Sequence, residues 1–148
     1  MEPPKQITPT KLADYLEVLT KAVFESGMSW KVIENKWPGF VTAFQGFDPI
    51  TVANLPPDAI DALTNDTRII RNRRKIEATI HNAQAMVAAE QEFGSFKAYL
   101  QSLGGFPEQM AGLKKRFKHV GNFGVYYFLY VIGEPVPPHD EFRGKFSG

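Results

Sequence analysis

Lys114, Lys115, Arg116 and Lys118 crowd one short stretch and run straight into a K-H-V-G turn at 118–121. Gly121 and Gly124 follow, where a tight turn favours a residue without Cβ and backbone amides at a helix start can approach an anion closely. Cations beside such amides suit a sequence-independent grip on a nucleic-acid backbone, with Lys115, Lys118, His119, Val120, Gly121 and Asn122 as the candidates. An ordinary helical hairpin with a solvated basic face is the alternative reading of the same residues. Beyond the turn lies an apolar segment, 123–132, and a Gly-Glu-Pro break then leads through Pro137, Pro138 and His139 to the carboxylate of Asp140.

These residues need elements to hold them. Segment 123–132 has no polar face, so as a helix it is expected to be a central core helix buried on all sides, and it falls short of the about 20 residues that span a bilayer. Upstream, Thr8 as N-cap and Pro9 as the first helical residue open a helix that Leu12, Tyr15, Leu16, Leu19 and Val23 continue to about Phe24. Gly27 predicts a backbone turn before Ser29 caps the next helix. Trp37-Pro38, Asp48-Pro49 and Pro56-Pro57 each predict a helix boundary. The longest helix is predicted over 68–92, closed by Gly94, and Ser95 caps a further one to about Leu103. Strand alternation and internal repeats are missing, so the predicted fold is all-α. One domain is expected over 1–148, with a loose arm at 1–6, a hairpin at about 113–133 and an extended C-terminal tail from about 134.

Composition narrows the classes of function. With 148 residues, 43% of them hydrophobic and 22% charged, the chain reads as a globular domain with one core. A net charge of +1 is neutral on nucleic acid, but its distribution is not: basic residues crowd 68–75 and 114–118, while Asp58, Asp61 and Asp66 lie apart from them. Cysteine is absent, which excludes disulfides, thiolate metal sites and iron–sulfur clusters. His81, His119 and His139 are too widely spaced for a metal motif, so no metal is expected. No long apolar run or signal peptide is visible, so a soluble intracellular protein without a membrane partner is expected.

The order L-K-K-R-F-K-H-V-G, then an apolar helix, then Gly and a Pro-containing tail, resembles the hairpin of the helix-hairpin-helix DNA glycosylases. Within that superfamily the chain most resembles the DNA-3-methyladenine glycosylase I group. F-E-S-G-M-S-W at 24–30, F-Q-G-F-D-P at 44–49, R-I-I-R-N-R-R-K-I-E at 68–77 and H-N-A at 81–83 are similar to that group in the same order. The type I group also carries a longer aromatic-rich segment ahead of the first helix, missing or much shortened here, and a zinc site built from cysteine and histidine that this sequence cannot form in that way.

The resemblance implies roles for particular residues. Met28 stands at the position wedged into the gap left by a flipped nucleotide, and Trp30 where a tryptophan stacks on the base; Tyr126 is placed in the base pocket with it. A cationic alkylated base is attracted to an indole face by roughly 0.5–2 kcal/mol. Without the resemblance, Met28 and Trp30 would be read as core. The group's base-reading carboxylate falls at Ala22, and Glu25, close to one helical turn on, is the candidate to enter the same space; a solvated helix-end charge is its alternative. Across the wider superfamily an aspartate follows the hairpin helix at a near-fixed distance, and Gly133, Pro137 and Asp140 reproduce that spacing. A carboxylate there stabilises the cationic sugar of the transition state and orients water. The type I group generally lacks it. The Schiff-base lysine of strand-cleaving members falls at Phe123, which implies a monofunctional enzyme.

The sequence thus points to a base-excision repair glycosylase that flips an alkylated base, foremost 3-methyladenine, out of damaged double-stranded DNA and hydrolyses its N-glycosidic bond. It is expected to work as a cytoplasmic, nucleoid-associated monomer without a cofactor, although superfamily hairpins often hold a monovalent cation on their carbonyls. A DNA-binding module that has lost excision is the alternative, motivated by Ala22 and the short N-terminal segment. A helical protein-interaction domain is a third reading.

Overall fold

Local signals set most of the helix ends. The computed structural model describes residues 3–146, with side chains as far as Phe142. Its helices are α1 (Leu12–Glu25), α2 (Trp30–Ala43), α3 (Pro49–Ala53), α4 (Pro57–Thr64), α5 (Arg73–Phe93), α6 (Phe96–Leu103), α7 (Phe106–Arg116), α8 (Asn122–Val131) and α9 (His139–Phe146), with a 3-10 turn at Gln45–Phe47. Among the described residues all regular structure is helical, as the sequence implies. Asp48 caps α3 by accepting from the Thr51 amide at 3.0 Å, and Ser95 caps α6 by accepting from Ala98 at 3.0 Å. Gly94 closes α5 in the left-handed region at φ 89°.

Several boundaries differ from the sequence expectation. The first helix starts at Leu12 and not at Pro9, because the Asp14 carboxylate accepts from the amides of Thr10 (2.9 Å) and Lys11 (3.3 Å) and closes the turn there. The longest helix starts at Arg73 and not at 68, because Asn72 caps it through the Lys75 amide at 3.1 Å. Trp37-Pro38 is no boundary: α2 runs through Pro38. An interior proline costs about 3 kcal/mol. Burying Ile33, Trp37 and Phe40 on the same helix returns roughly 1.5–3 kcal/mol each, which outweighs that cost.

The core is an aromatic ladder. Trp37 stacks on Phe40 and Phe47 at 4.9 and 5.5 Å, and Phe24 meets Phe40 edge-on at 4.7 Å. Around it, α5 packs against α1, α3, α4 and α6, which makes it the spine of the fold. The apolar helix α8, expected to be buried all round, packs on α1 and α7 but leaves Phe123 45% exposed and Tyr126, Tyr127 and Tyr130 part-buried. Tyrosines tolerate that edge because the hydroxyl is satisfied: Tyr126 donates to the Pro137 carbonyl at 2.7 Å.

Among the described residues, the segments before α1 and after α8 both fold back onto α8. The Ile7 amide donates to the Val131 carbonyl at 2.7 Å and the Gln6 side chain to Tyr130 at 2.9 Å, so the arm expected to be loose is tied at its end. The tail is non-helical over 134–138, but then forms α9 where an extended run was expected. Phe142 explains the change: it is fully buried and stacks on Tyr126 at 4.3 Å, a contact that a turn of helix after Pro138 delivers.

Candidate active site

The end of α1 carries the first group. Glu25 is its last residue, the chain reverses at Gly27 (φ 73°), and the Met28 amide donates to the Glu25 carbonyl at 3.0 Å. This tight turn pushes Met28 (38% exposed) and Trp30 (50% exposed) into solvent at the start of α2. Neither is core. Large apolar side chains standing together in water form a contact surface.

Glu25 itself is part-buried between α1 and the Tyr127 face of α8. Burial raises its carboxyl pKa to about 7, Lys21 opposes the rise, and the neighbouring negative charge of Glu34 adds to it. Tyr127 is pushed upward as well, by burial first and then by the charges of Glu25, Glu34 and Glu17. Lys21 pairs with Glu34, and Glu17 accepts from the Trp37 indole at 2.9 Å, so the surrounding charges have fixed partners.

Ala22, one turn earlier, is 4% exposed and faces α8 at Gly124, where an added Cβ would lie 3.8 Å from the Ala22 Cβ. Small residues on both helices therefore close the space at that level. Glu25 ends α1, just ahead of the turn that leads to Trp30 at the start of α2.

The hairpin joining α7 to α8 carries the second group. His119, and not Gly121, takes the left-handed conformation the turn requires, at φ 63°. Gly121 has φ −97°, and a Cβ there would meet open space. His119 is exposed, and partial desolvation together with the nearby charges of Lys75 and Arg74 holds its pKa below the usual imidazole value. Lys115 and Lys118 are exposed, Val120 lies part-buried between them and α8, and Lys114 donates to the Asn122 side chain at 2.7 Å.

The basic crowd seen in sequence divides in space. Arg116 turns away to Glu92 at 3.6 Å and stacks over Tyr99 at 4.7 Å. Arg68 pairs with Asp66 at 2.7 Å, and Arg73 with Asp61. Lys75 and Arg74 are the members of the upstream run whose charges reach His119.

Two sequence candidates stand apart from Glu25 and Trp30. Tyr126 is engaged by the tail: it binds the Pro137 carbonyl, stacks on Phe142 and meets the His139 ring edge-on at 5.9 Å. The tyrosine on the Glu25 side is Tyr127, which the sequence reading missed; the helical 100° step between neighbours was the available signal. Asp140 is exposed in the first turn of α9. A cavity of about 380 Å³ opens beside it between Phe106, Pro107, Val136 and Pro137, and a second of about 400 Å³ lies by Lys36, Thr67 and Arg71; Glu25 lines neither.

The residues do not fit a zinc site. Cysteine is absent, and no group of three or more His, Asp or Glu among the described residues could hold a metal. In the hairpin, the Lys118 carbonyl already accepts from Asn82 at 3.1 Å. No helix among the described residues is long and apolar enough to cross a membrane.

Known proteins share this arrangement of helices. A solved 3-methyladenine DNA glycosylase I aligns with a TM-score of 0.75 at 30% identity, covering 86% of this chain and 81% of that one. A second, solved in complex with 3-methyladenine, aligns at 0.77 and 27% identity, covering 87% and 81%. In sequence, DNA-3-methyladenine glycosylase 1 of Escherichia coli is 30% identical over 130 residues, 74% of this chain and 70% of that protein. DNA-3-methyladenine glycosylase of Haemophilus influenzae is 33% identical over 78 residues, 53% of this chain and 42% of its own. A sequence model described as methyladenine glycosylase matches residues 9–112, ending before the hairpin turn and the tail. Sharing that segment and that fold, the chain belongs to the methyladenine glycosylase family.

Proposed function

We propose that this protein is a monofunctional DNA glycosylase of base-excision repair, acting as one helical domain to release alkylated bases, foremost 3-methyladenine, from duplex DNA. The observation that carries the reading is the turn from α1 to α2, which joins the part-buried Glu25, within electrostatic reach of Tyr127, to the half-exposed Trp30 at the start of α2. The flipped base stacks on the Trp30 indole, and its positive charge favours both the ring face and the Glu25 carboxylate. Met28 fills the gap in the duplex. Lys115 and the hairpin from Lys118 to Asn122 hold the phosphate backbone.

In the reaction, the bond between C1′ and the base nitrogen breaks and its electron pair leaves with the base, neutralising it. Water adds to C1′ and yields its proton to a carboxylate. Glu25 lies on the base side of this step. Asp140 is the carboxylate proposed for the sugar side, a role supported by its spacing from Gly133 and Pro137. Phe123 offers no amine, so strand cleavage through a Schiff base at that position is not part of the reading.

The second reading is a family member that binds DNA without excision, favoured by the closure of the α1–α8 contact at Ala22 and Gly124. The test is release of free 3-methyladenine from methylated duplex DNA by wild type, Glu25→Gln and Asp140→Asn at matched folding. Release that falls by about a hundredfold in a variant assigns that carboxylate to the chemistry. Wild-type release unchanged in both variants keeps the enzyme and removes both acids. DNA binding without release establishes the second reading.

A further inference from the structure

Two buried polar side chains of α5 have no part in the chemistry above. Lys75 is 5% exposed and Asn82 is 1% exposed. They lie two helical turns apart on one face, about 10 Å along the axis at 1.5 Å per residue. Each reaches a different part of the site. The Lys75 ammonium donates to the carbonyls of Phe24 at 3.0 Å and Ser26 at 2.5 Å, the backbone that ends α1 and opens the turn bearing Met28 and Trp30. Asn82 takes both polar groups of one hairpin residue: its amide donates to the Lys118 carbonyl at 3.1 Å, and its oxygen accepts from the Lys118 amide at 2.8 Å.

All four bonds end on backbone. Such contacts fix where a chain segment runs, whatever side chains it carries. Burying an ammonium is costly, and desolvation lowers the Lys75 pKa, so an apolar residue of similar size would fill the space at lower cost. The Lys75 contacts therefore do something that filling space does not. With Asn82 they tie the base-side turn and the phosphate-side hairpin to the same rigid helix.

We propose that Lys75 and Asn82 are positioning residues that set the separation between the Met28–Trp30 turn and the Lys118 hairpin. A nucleotide whose backbone is held by the hairpin then presents its base at the Trp30 pocket. The inference rests on the glycosylase reading, and its two halves predict different defects. Loss of Asn82 loosens the hairpin and weakens DNA binding. Loss of Lys75 displaces the base-side turn and slows base release from DNA already bound.

The experiment compares wild type with Asn82→Leu, Asn82→Asp, Lys75→Met and Lys75→Arg, all quantified as folded protein. Binding to duplex carrying a reduced abasic site is titrated against salt, and single-turnover release of 3-methyladenine is measured at saturating enzyme. Asn82→Leu is expected to weaken binding about tenfold, with the saturated rate near wild type. Its salt slope is expected to fall by about one. Asn82→Asp, which keeps the acceptor, falls between the two. Lys75→Met is expected to slow release about tenfold with affinity unchanged, and Lys75→Arg, which keeps two donors, to recover most of the rate. Lower melting temperatures with wild-type affinity and rate per folded molecule would overturn the proposal, as would equal loss of both quantities in both positions. Should wild type release no base, the glycosylase reading fails separately. The affinity arm and the change in Trp30 fluorescence on DNA binding then decide the inference.

Discussion

Glu25 at the end of α1 lies near enough to Tyr127 on α8 for its negative charge to add to the rise that burial gives the tyrosine pKa. Burial raises the pKa of the Glu25 carboxyl itself to about 7, with Lys21 opposing the rise and Glu34 adding to it. A carboxyl with that pKa gains its charge as pH rises through about 7, and in the proposed site the ionised form is the one that attracts a cationic base. Release of 3-methyladenine by wild type is expected to rise with pH through about 7, and Glu25→Gln to show a flat profile at a rate lower by about a hundredfold. Initial rates between pH 5.5 and 8.5 check both.

The same shift has a stability consequence with a defined sign. The folded pKa of Glu25 lies above its unfolded value of 4.5, so the native state binds the extra proton between them. Its contribution is fully present below pH 4.5 and is lost as pH rises through about 7. Glu25→Gln should therefore be more stable than wild type at pH 8, with the gap closing by pH 4.5, as read by urea midpoints at the two pH values.

Trp30 is half exposed and is not one of the buried core residues. Trp30→Ala is expected to change stability by no more than about 0.5 kcal/mol while greatly weakening binding of free 3-methyladenine. Trp37→Ala provides the contrast. It removes the ring stacked on Phe40 and Phe47 and should cost about 3–5 kcal/mol in chemical denaturation.

Charge counting in sequence would treat all the cations of 68–75 and 114–118 alike. The fold does not. Lys118→Ala is expected to weaken DNA binding on any sequence and to lower the salt slope by about one, while Arg73→Ala, whose charge is matched by Asp61, leaves both unchanged. Affinities at two or more salt concentrations separate these outcomes.

Gly39 lies inside α2, where an added Cβ would stand 2.5 Å from the Arg68 carbonyl oxygen. Backbone cannot yield as a flexible side chain does. Gly39→Ala is expected to destabilise the protein by about 1–3 kcal/mol despite its better helix propensity, a loss measurable as a lower urea midpoint.

What the sequence determined by itself is whatever physics acts over a few residues. Asp48-Pro49, Ser95, Gly94 and Gly27 begin and end backbone elements through their own side chains or freedom at positive φ, so the all-α fold and the turn bearing Met28 and Trp30 were legible. The methyladenine glycosylase resemblance was legible for a related reason, since ordered short motifs survive without knowledge of packing. Tertiary structure decided the rest. Whether Tyr126 or Tyr127 meets Glu25 depends on how α8 is rotated against α1, and Tyr126 is claimed by Pro137 and Phe142. Which cations remain available for DNA depends on acids far along the chain, such as Asp61 for Arg73. His119 adopts positive φ in a turn whose first residue, Lys118, is anchored by Asn82 on α5. Lys75 looked like one more surface charge until its bonds to Phe24 and Ser26 were seen, because hydrogen bonds between segments some fifty residues apart leave no periodicity in sequence.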